Sequence, residues 1–236
     1  MVEISVSERD SHCRYIAHVA GALAAAKAPA ASRVRFADGR VCFAVEAERD
    51  KLPRLRAAAE AAIAEVVCVG YKYEILRGLV HPAGLTPQEK EVLLAAVIAA
   101  DLEEDKKYAR ARLAEESEHC IDGFFRFRLR PLSEKWKDVA AVIPSFFTGR
   151  QLREFLDFVL HGSGGRVFLK GEDVYDSHCR RLRRAHLIEE GRSELNTLRE
   201  IVLSGAGRVE CLSAVTAGQE AFLKNYYAGR VCFPCL

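Results

Sequence analysis

Long apolar runs are missing from this chain. The longest, VLLAAVIAA at residues 92–100, falls well short of the roughly 20 residues needed to cross a bilayer. The opening residues, MVEISVSERD, carry charge early and have no apolar h-region, so no secretory signal is expected. An excess of one charge is missing too. The 35 Lys and Arg nearly balance the 33 Asp and Glu, leaving +2, so no global field draws the protein to nucleic acid or membrane. Tryptophan and methionine occur once each, yet half of the 236 residues are apolar, which excludes disorder and collagen-like repeats and is enough for one large or two small domains. The spacings GxSxG, HExxH and Walker A are absent, so no motif supports a reaction. The expectation is a soluble cytoplasmic protein with no membrane partner. Its eight cysteines should be mostly thiols there, with Cys42, Cys68 and Cys211 as small buried side chains in apolar contexts.

What is present is periodicity. Val2, Ile4 and Val6 alternate as one face of a strand. Asp10 or Ser11 suits the cap of a following helix with Ile16, Val19, Ala20 and Leu23 on one side, ended by Pro29. Asp38-Gly39 marks a two-residue hairpin, whose register sets Phe36 against Val41 and Val34 against Phe43, with Arg33, Arg35, Arg40 and Cys42 on the other face. A helical pattern covers about Leu52 to Leu79. TPQE at 86–89 is a capping box with Pro first in the helix, which should run to about Glu116, apolar in its first half and ion-paired in its second. Residues 120–147 fit either a strand, with Phe125, Phe127 and Leu129 alternating with Arg126, Arg128 and Arg130, or a helix. An amphipathic helix follows, with Leu152, Phe155, Leu156 and Val159 inward and Thr148 as cap. The last third reads strand, short basic helix from Cys179, helix, strand, helix, strand, which suggests parallel βαβ pairing. The expected fold class is α/β (mixed α+β): an N-terminal β-α-β-β-α unit over 1–80, a central helical layer over 86–160 and a C-terminal βαβ-containing unit over 165–236.

The pentapeptide DSHCR occurs twice, at 10–14 and at 176–180 (the latter within VYDSHCRRLRR, 174–184). The flanks share nothing further, so helix capping by Asp and Ser in both places, repeated by chance, is the reading. Three His-Cys pairs, at 12–13, 119–120 and 178–179, do not ligate a metal by themselves, because neighbours on a helix point about 100° apart. Only Cys232-Phe-Pro-Cys235 has ligand spacing. With only Leu236 after it, no helix is expected there to lower a thiol pKa, which leaves two plain thiols or half of a zinc site; no other cofactor is indicated. GSGGR at 162–166 runs from helix to strand, a turn and not a phosphate cradle. Arg180, Arg181, Arg183 and Arg184 form a dense positive patch. With Arg126, Arg128 and Arg130 among Phe124, Phe125 and Phe127 they offer charge and stacking for a nucleic acid. Glu172, Asp173, Asp176, Glu189 and Glu190 are near enough in sequence to pair with them internally.

From the TPQE helix through IDGFFRFRLR the chain resembles the YtxC-like sporulation proteins of spore-forming bacteria. In that family an acidic residue, Gly and Phe lead into a Phe-Arg-Leu core, matched here by Asp122, Gly123, Phe124, Phe127, Arg128 and Leu129. QLREFLDFVL sits where the family has a similar helix, and Gly229, Arg230, Val231, Cys232 and Cys235 match its closing segment. The resemblance implies a role in sporulation but no established biochemical activity, and the expectation is a non-enzymatic protein exerting its effect through a protein partner. A nucleic-acid-binding accessory role through the arginines and a metal- or thiol-dependent role at Cys232 and Cys235 are the alternatives.

Overall fold

The computed structural model describes residues 2–26, 31–114, 119–161, 163–190 and 193–234. The chain is mixed α+β and forms two compact units. The first takes Met1–Lys72 and Leu102–Trp136; the second takes Tyr73–Asp101 and Lys137–Leu236. The helical stretch 86–160 is thus divided between the two units.

In the first unit, β1 (Val2–Arg9) leads through a short 3-10 turn into α1 (Cys13–Ala25). Strands β2 (Ala31–Ala37) and β3 (Arg40–Ala47) follow, then α2 (Leu52–Glu65). This is the β-α-β-β-α order expected from the pattern. Asp38 and Gly39 both have positive φ, 53° and 70°, as a type I′ turn requires. The register pairs Val34 with Phe43 and Phe36 with Val41, as the turn position dictates. The sheet is completed by β4 (His119–Cys120), in the order β2-β3-β1-β4, with β4 parallel to β1 and the other pairs antiparallel. Tyr15, Ile16, Val19 and Leu23 of α1 are buried with Val6, Val41, Phe43 and Val45 of the sheet. Pro29 and residues 115–118, where helix ends are expected, lie outside the described residues.

The helix that starts at Leu52 is not uniform. Val66–Tyr71 is wound as a π-helix between α2 and α3 (Lys72–Leu79). Its Gly70 lies under Tyr15, and a Cβ there would sit 2.7 Å from ring carbons and the hydroxyl of that side chain. Helical propensity alone favours alanine over glycine by about 1 kcal/mol, but Tyr15 is fully buried and overpacking costs about 1–3 kcal/mol. Gly70→Ala is therefore expected to lower the urea midpoint, where an ordinary exposed helical glycine would raise it.

α4 (Pro87–Leu113) begins with the expected box: Thr86 N–H donates to Glu89, and Glu89 N–H to Thr86 Oγ1. The ambiguous stretch after β4 is helical: α5 (Ile121–Arg128) and α6 (Arg130–Val142) meet at Leu129. The strand alternative for Phe125, Phe127 and Leu129 is thus set aside. The second unit holds α7 (Gly149–Leu160), capped by Thr148 and Gln151 and burying Leu152, Leu156 and Leu160. Its sheet has the order β6-β5-β7-β8, built from β5 (Arg166–Lys170), β6 (Asp173–Tyr175), β7 (Arg208–Cys211) and β8 (Val231–Cys232). β5, β7 and β8 are parallel neighbours, joined through α8 (Glu194–Leu203) and α9 (Ala217–Tyr226), the βαβ pairing that the alternation suggested. No described helix is long and apolar enough to cross a membrane.

The two DSHCR copies correct the capping reading. At 10–12 the chain makes a 3-10 turn with no side-chain cap, and the Cys13 thiol donates to the Asp10 carbonyl. At 176–180 there is no helix. Asp176 Oδ1 accepts from the N–H groups of His178 and Arg180, and Cys179 turns left-handed at φ 58°. The short basic helix expected from Cys179 is replaced by this turn, because the Asp176 carboxylate outbids a helical ladder for the same N–H groups.

Candidate functional site

The densest set of polar contacts in the first unit gathers where β1 ends. Glu8 lies on the same face of the strand as Val6 and has no exposed surface. The π-turn swings Tyr71 toward it, and the Tyr71 hydroxyl donates to Glu8 Oε2 at 2.8 Å. The N–H of Arg9 donates to Oε1 at 2.8 Å, and His12 Nδ1 stands 3.8 Å away. Burial pushes the Glu8 carboxyl above its ordinary value, against the pull of the Arg9 N–H and Tyr71 hydroxyl, and the charge of Asp122 adds to the rise. Burial and the Glu8 charge push the Tyr71 phenol up as well.

Asp122 opens α5, where the helix dipole favours an acid. Arg40 donates to its Oδ1 at 2.7 Å, Arg9 Nε lies 3.4 Å from its Oδ2, and the Cys120 thiol donates to Oδ1 at 3.3 Å. Arg40 also reaches the Cys120 sulfur at 3.0 Å. Burial would raise the Asp122 carboxyl, but the Arg40 and Cys120 hydrogen bonds and the charges of Arg40 and Arg9 outweigh it and bring it down to about 2. The next residue, Gly123, comes so close to Cys120 that a Cβ would lie 3.1 Å from its sulfur.

The rest of α5 packs on aromatic rings. Phe124 is buried, and Phe125 stacks on Tyr71 with centroids 4.4 Å apart and on Trp136 at 6.1 Å. Leu129 is fully buried. Behind this stack lies an ion cluster without exposed surface at Lys72 and nearly none at Asp105. Asp105 Oδ2 accepts from Lys72 Nζ and Trp136 Nε1, each at 2.8 Å, and Oδ1 accepts from Lys135 at 2.9 Å. Burial pushes the neighbouring Cys68 thiol far up, so it is an inert core side chain.

Asp122, Gly123 and Phe124, with Leu129 just after the helix, thus form the anchored side of α5. Phe127 points outward at 83% exposure, between exposed Arg126 and Arg128. The chemistry of this constellation is that of an anchor. Two carboxylates and their donors fix the first turn of a short helix to a sheet end, and the helix presents one ring and two guanidinium groups outward.

The other candidate residues are placed as follows. Arg130 pairs with Glu134 at 2.9 Å. Arg180 pairs with Asp176 at 2.7 Å, Arg181 with Asp173 at 2.6 Å, and Arg184 donates to the Leu203 carbonyl at 3.0 Å; Arg183 is exposed. Cys232 is exposed on β8, where Arg208 reaches its sulfur at 3.4 Å. Cys235 lies outside the described residues. Among those described, no group of three or more His, Cys, Asp or Glu is arranged to hold a metal ion. Cys68 and Cys211 are buried and Cys42 is half-buried.

Glu8, Tyr71, Arg40, Lys72 and Asp105 escaped the sequence reading. Two left a signal: Glu8 is a charge in phase with Val6, and Lys72 is a lone cation in the apolar stretch VVCVGYKYEIL. No protein-family model, curated protein or solved structure matches this chain.

Proposed function

We propose that this is a cytoplasmic, sporulation-associated protein of the YtxC-like kind, and that it works by binding another protein through the outward face of α5. The observation that carries the reading is Phe127, 83% exposed on a helix whose remaining hydrophobic residues are packed. Phenylalanine and arginine are both enriched in protein interfaces relative to the rest of the surface. The resemblance of Asp122 to Leu129 to the sporulation family supplies the process. The internal pairing of Arg180 and Arg181 weighs against a nucleic-acid surface there.

A photo-crosslinking amino acid in place of Phe127 tests the reading in sporulating cells. The expected result is a discrete protein adduct that is not formed from exposed Arg150 on α7. Phe127→Asp should abolish spore formation while changing folding stability by no more than about 0.5 kcal/mol, as for a surface position. Normal spore counts from a stable Phe127→Asp protein would defeat the proposal.

A further inference from the structure

Among the described residues, strand β2 is one edge of the first sheet, bonded to β3 alone, and every residue in it is exposed. The register makes its apolar side chains a continuation of the core face: Val34 opposes Phe43 and Phe36 opposes Val41. Phe43 and Val41 are covered, at 7% and 2% exposure, but Val34 and Phe36 stand at 56% and 65%. On the opposite face β2 carries Arg33 and Arg35. Arg33 pairs with Glu3 and lies 4.0 Å from Glu46, and Arg35 has no ion-pair partner among the described residues. The strand has no proline or lysine, two of the usual devices that keep an edge from pairing.

A second copy is a poor occupant. Two-fold antiparallel pairing centred on Arg33, Val34 or Arg35 sets Arg33 against itself, Arg33 against Arg35, or Arg35 against itself. Like charges directly opposite are destabilising, and centres nearer the strand ends leave only a few residues paired. The same pattern suits a strand of opposite charge. We infer that β2 is a docking edge for an extended segment of another protein in which apolar and acidic residues alternate. The segment adds as a further antiparallel strand, with backbone hydrogen bonds giving affinity. Its acidic side chains lie beside Arg33 and Arg35, and its apolar ones extend the row of Val34 and Phe36. This surface is independent of the α5 face, and the inference stands or falls without it.

The test uses the full chain and a short monomeric peptide of alternating valine and glutamate, with a valine–lysine peptide as counterpart. Amide hydrogen exchange by NMR should show new protection along β2, in the residues around Val34, Arg35 and Phe36, on adding the valine–glutamate peptide. Arg35→Glu, at an exposed position without an internal ion pair, should weaken that peptide by about tenfold or more and turn the preference toward the valine–lysine peptide. Unchanged exchange along β2 at millimolar peptide overturns the inference, as does equal binding of the two peptides. A concentration-dependent dimer of the chain that is lost in Phe36→Asp also overturns it, since the occupant would then be a second copy.

Discussion

Asp105→Ala is expected to cost the first unit about 3–5 kcal/mol, the range for breaking a buried ion pair from one side. Lys72 has no exposed surface and its ammonium donates to Asp105 at 2.8 Å. Removing the carboxylate leaves a cation in the core, and also strips the acceptor from Trp136 Nε1 and from Lys135. Typical domains are stable by about 5–15 kcal/mol, so this one change consumes a large part of the margin. Lys72→Met should be milder. It removes one of three donors, and the carboxylate keeps Trp136 and Lys135, the latter 40% exposed and in reach of water. The chain has a single tryptophan, and it is Trp136, so urea unfolding followed by its fluorescence reports this unit. The expected order of midpoints is native, then Lys72→Met, then Asp105→Ala, with unchanged slopes. An Asp105→Ala midpoint equal to that of Lys72→Met would mean that the cluster is not organised around the carboxylate.

That cluster shows where a sequence stops being legible. The hairpin at Asp38-Gly39 and the caps at Thr86 and Thr148 are decided within a few residues, by positive φ and by side chains reaching the nearest N–H groups. Such features can be read along the chain. Lys72 could be flagged as a cation among apolar residues, but its partner lies 33 positions away in DLEEDKKY, among other acids of which only one turns inward. Arg40 and Asp122 are 82 positions apart; the family resemblance marks Asp122, but nothing along the chain marks Arg40 as its partner. The π-turn at Val66–Tyr71 leaves the apolar character of the helix unchanged while altering which residue faces β1, so Tyr71 could not be assigned to Glu8. DSHCR carries the complementary lesson: five identical residues form a 3-10 turn in one place and a left-handed turn in the other, because their neighbours decide which N–H groups Asp can reach. Neither the strand nor the helix pattern of FFRFRLR singles out Phe127 as the exposed ring, since both set it beside other apolar residues; the helix that forms buries Phe124 and leaves Phe127 outward.

Asp122 and Glu8 should impose opposite pH dependences on one site. Asp122 has its carboxyl lowered from an ordinary 3.8 to about 2. Its ionised form therefore favours the folded chain at any pH above about 4, and this contribution is lost as pH falls toward about 2. From the size of the shift it amounts to about 2 kcal/mol. Asp122→Asn should lower stability by about that amount at pH 7, with the difference closing on acidification. Glu8 has its carboxyl raised by burial. The folded chain then holds the Glu8 proton more tightly than the unfolded chain does, so stability falls as pH rises above the ordinary glutamate range. Glu8→Gln removes that titration. Its amide can donate to the Tyr71 hydroxyl, which is able to turn and accept, while its carbonyl keeps the Arg9 N–H. Urea midpoints measured from pH 3 upward should thus give a Glu8→Gln curve that meets the native one in acid and lies above it at neutral pH. The Asp122→Asn curve should lie below the native one at neutral pH and draw toward it as pH falls to about 3, with part of the gap still open there. Parallel curves for Glu8→Gln and the native chain across this window would mean that Glu8 is ionised in the fold, held there by the Arg9 N–H and Tyr71 hydroxyl in spite of its burial.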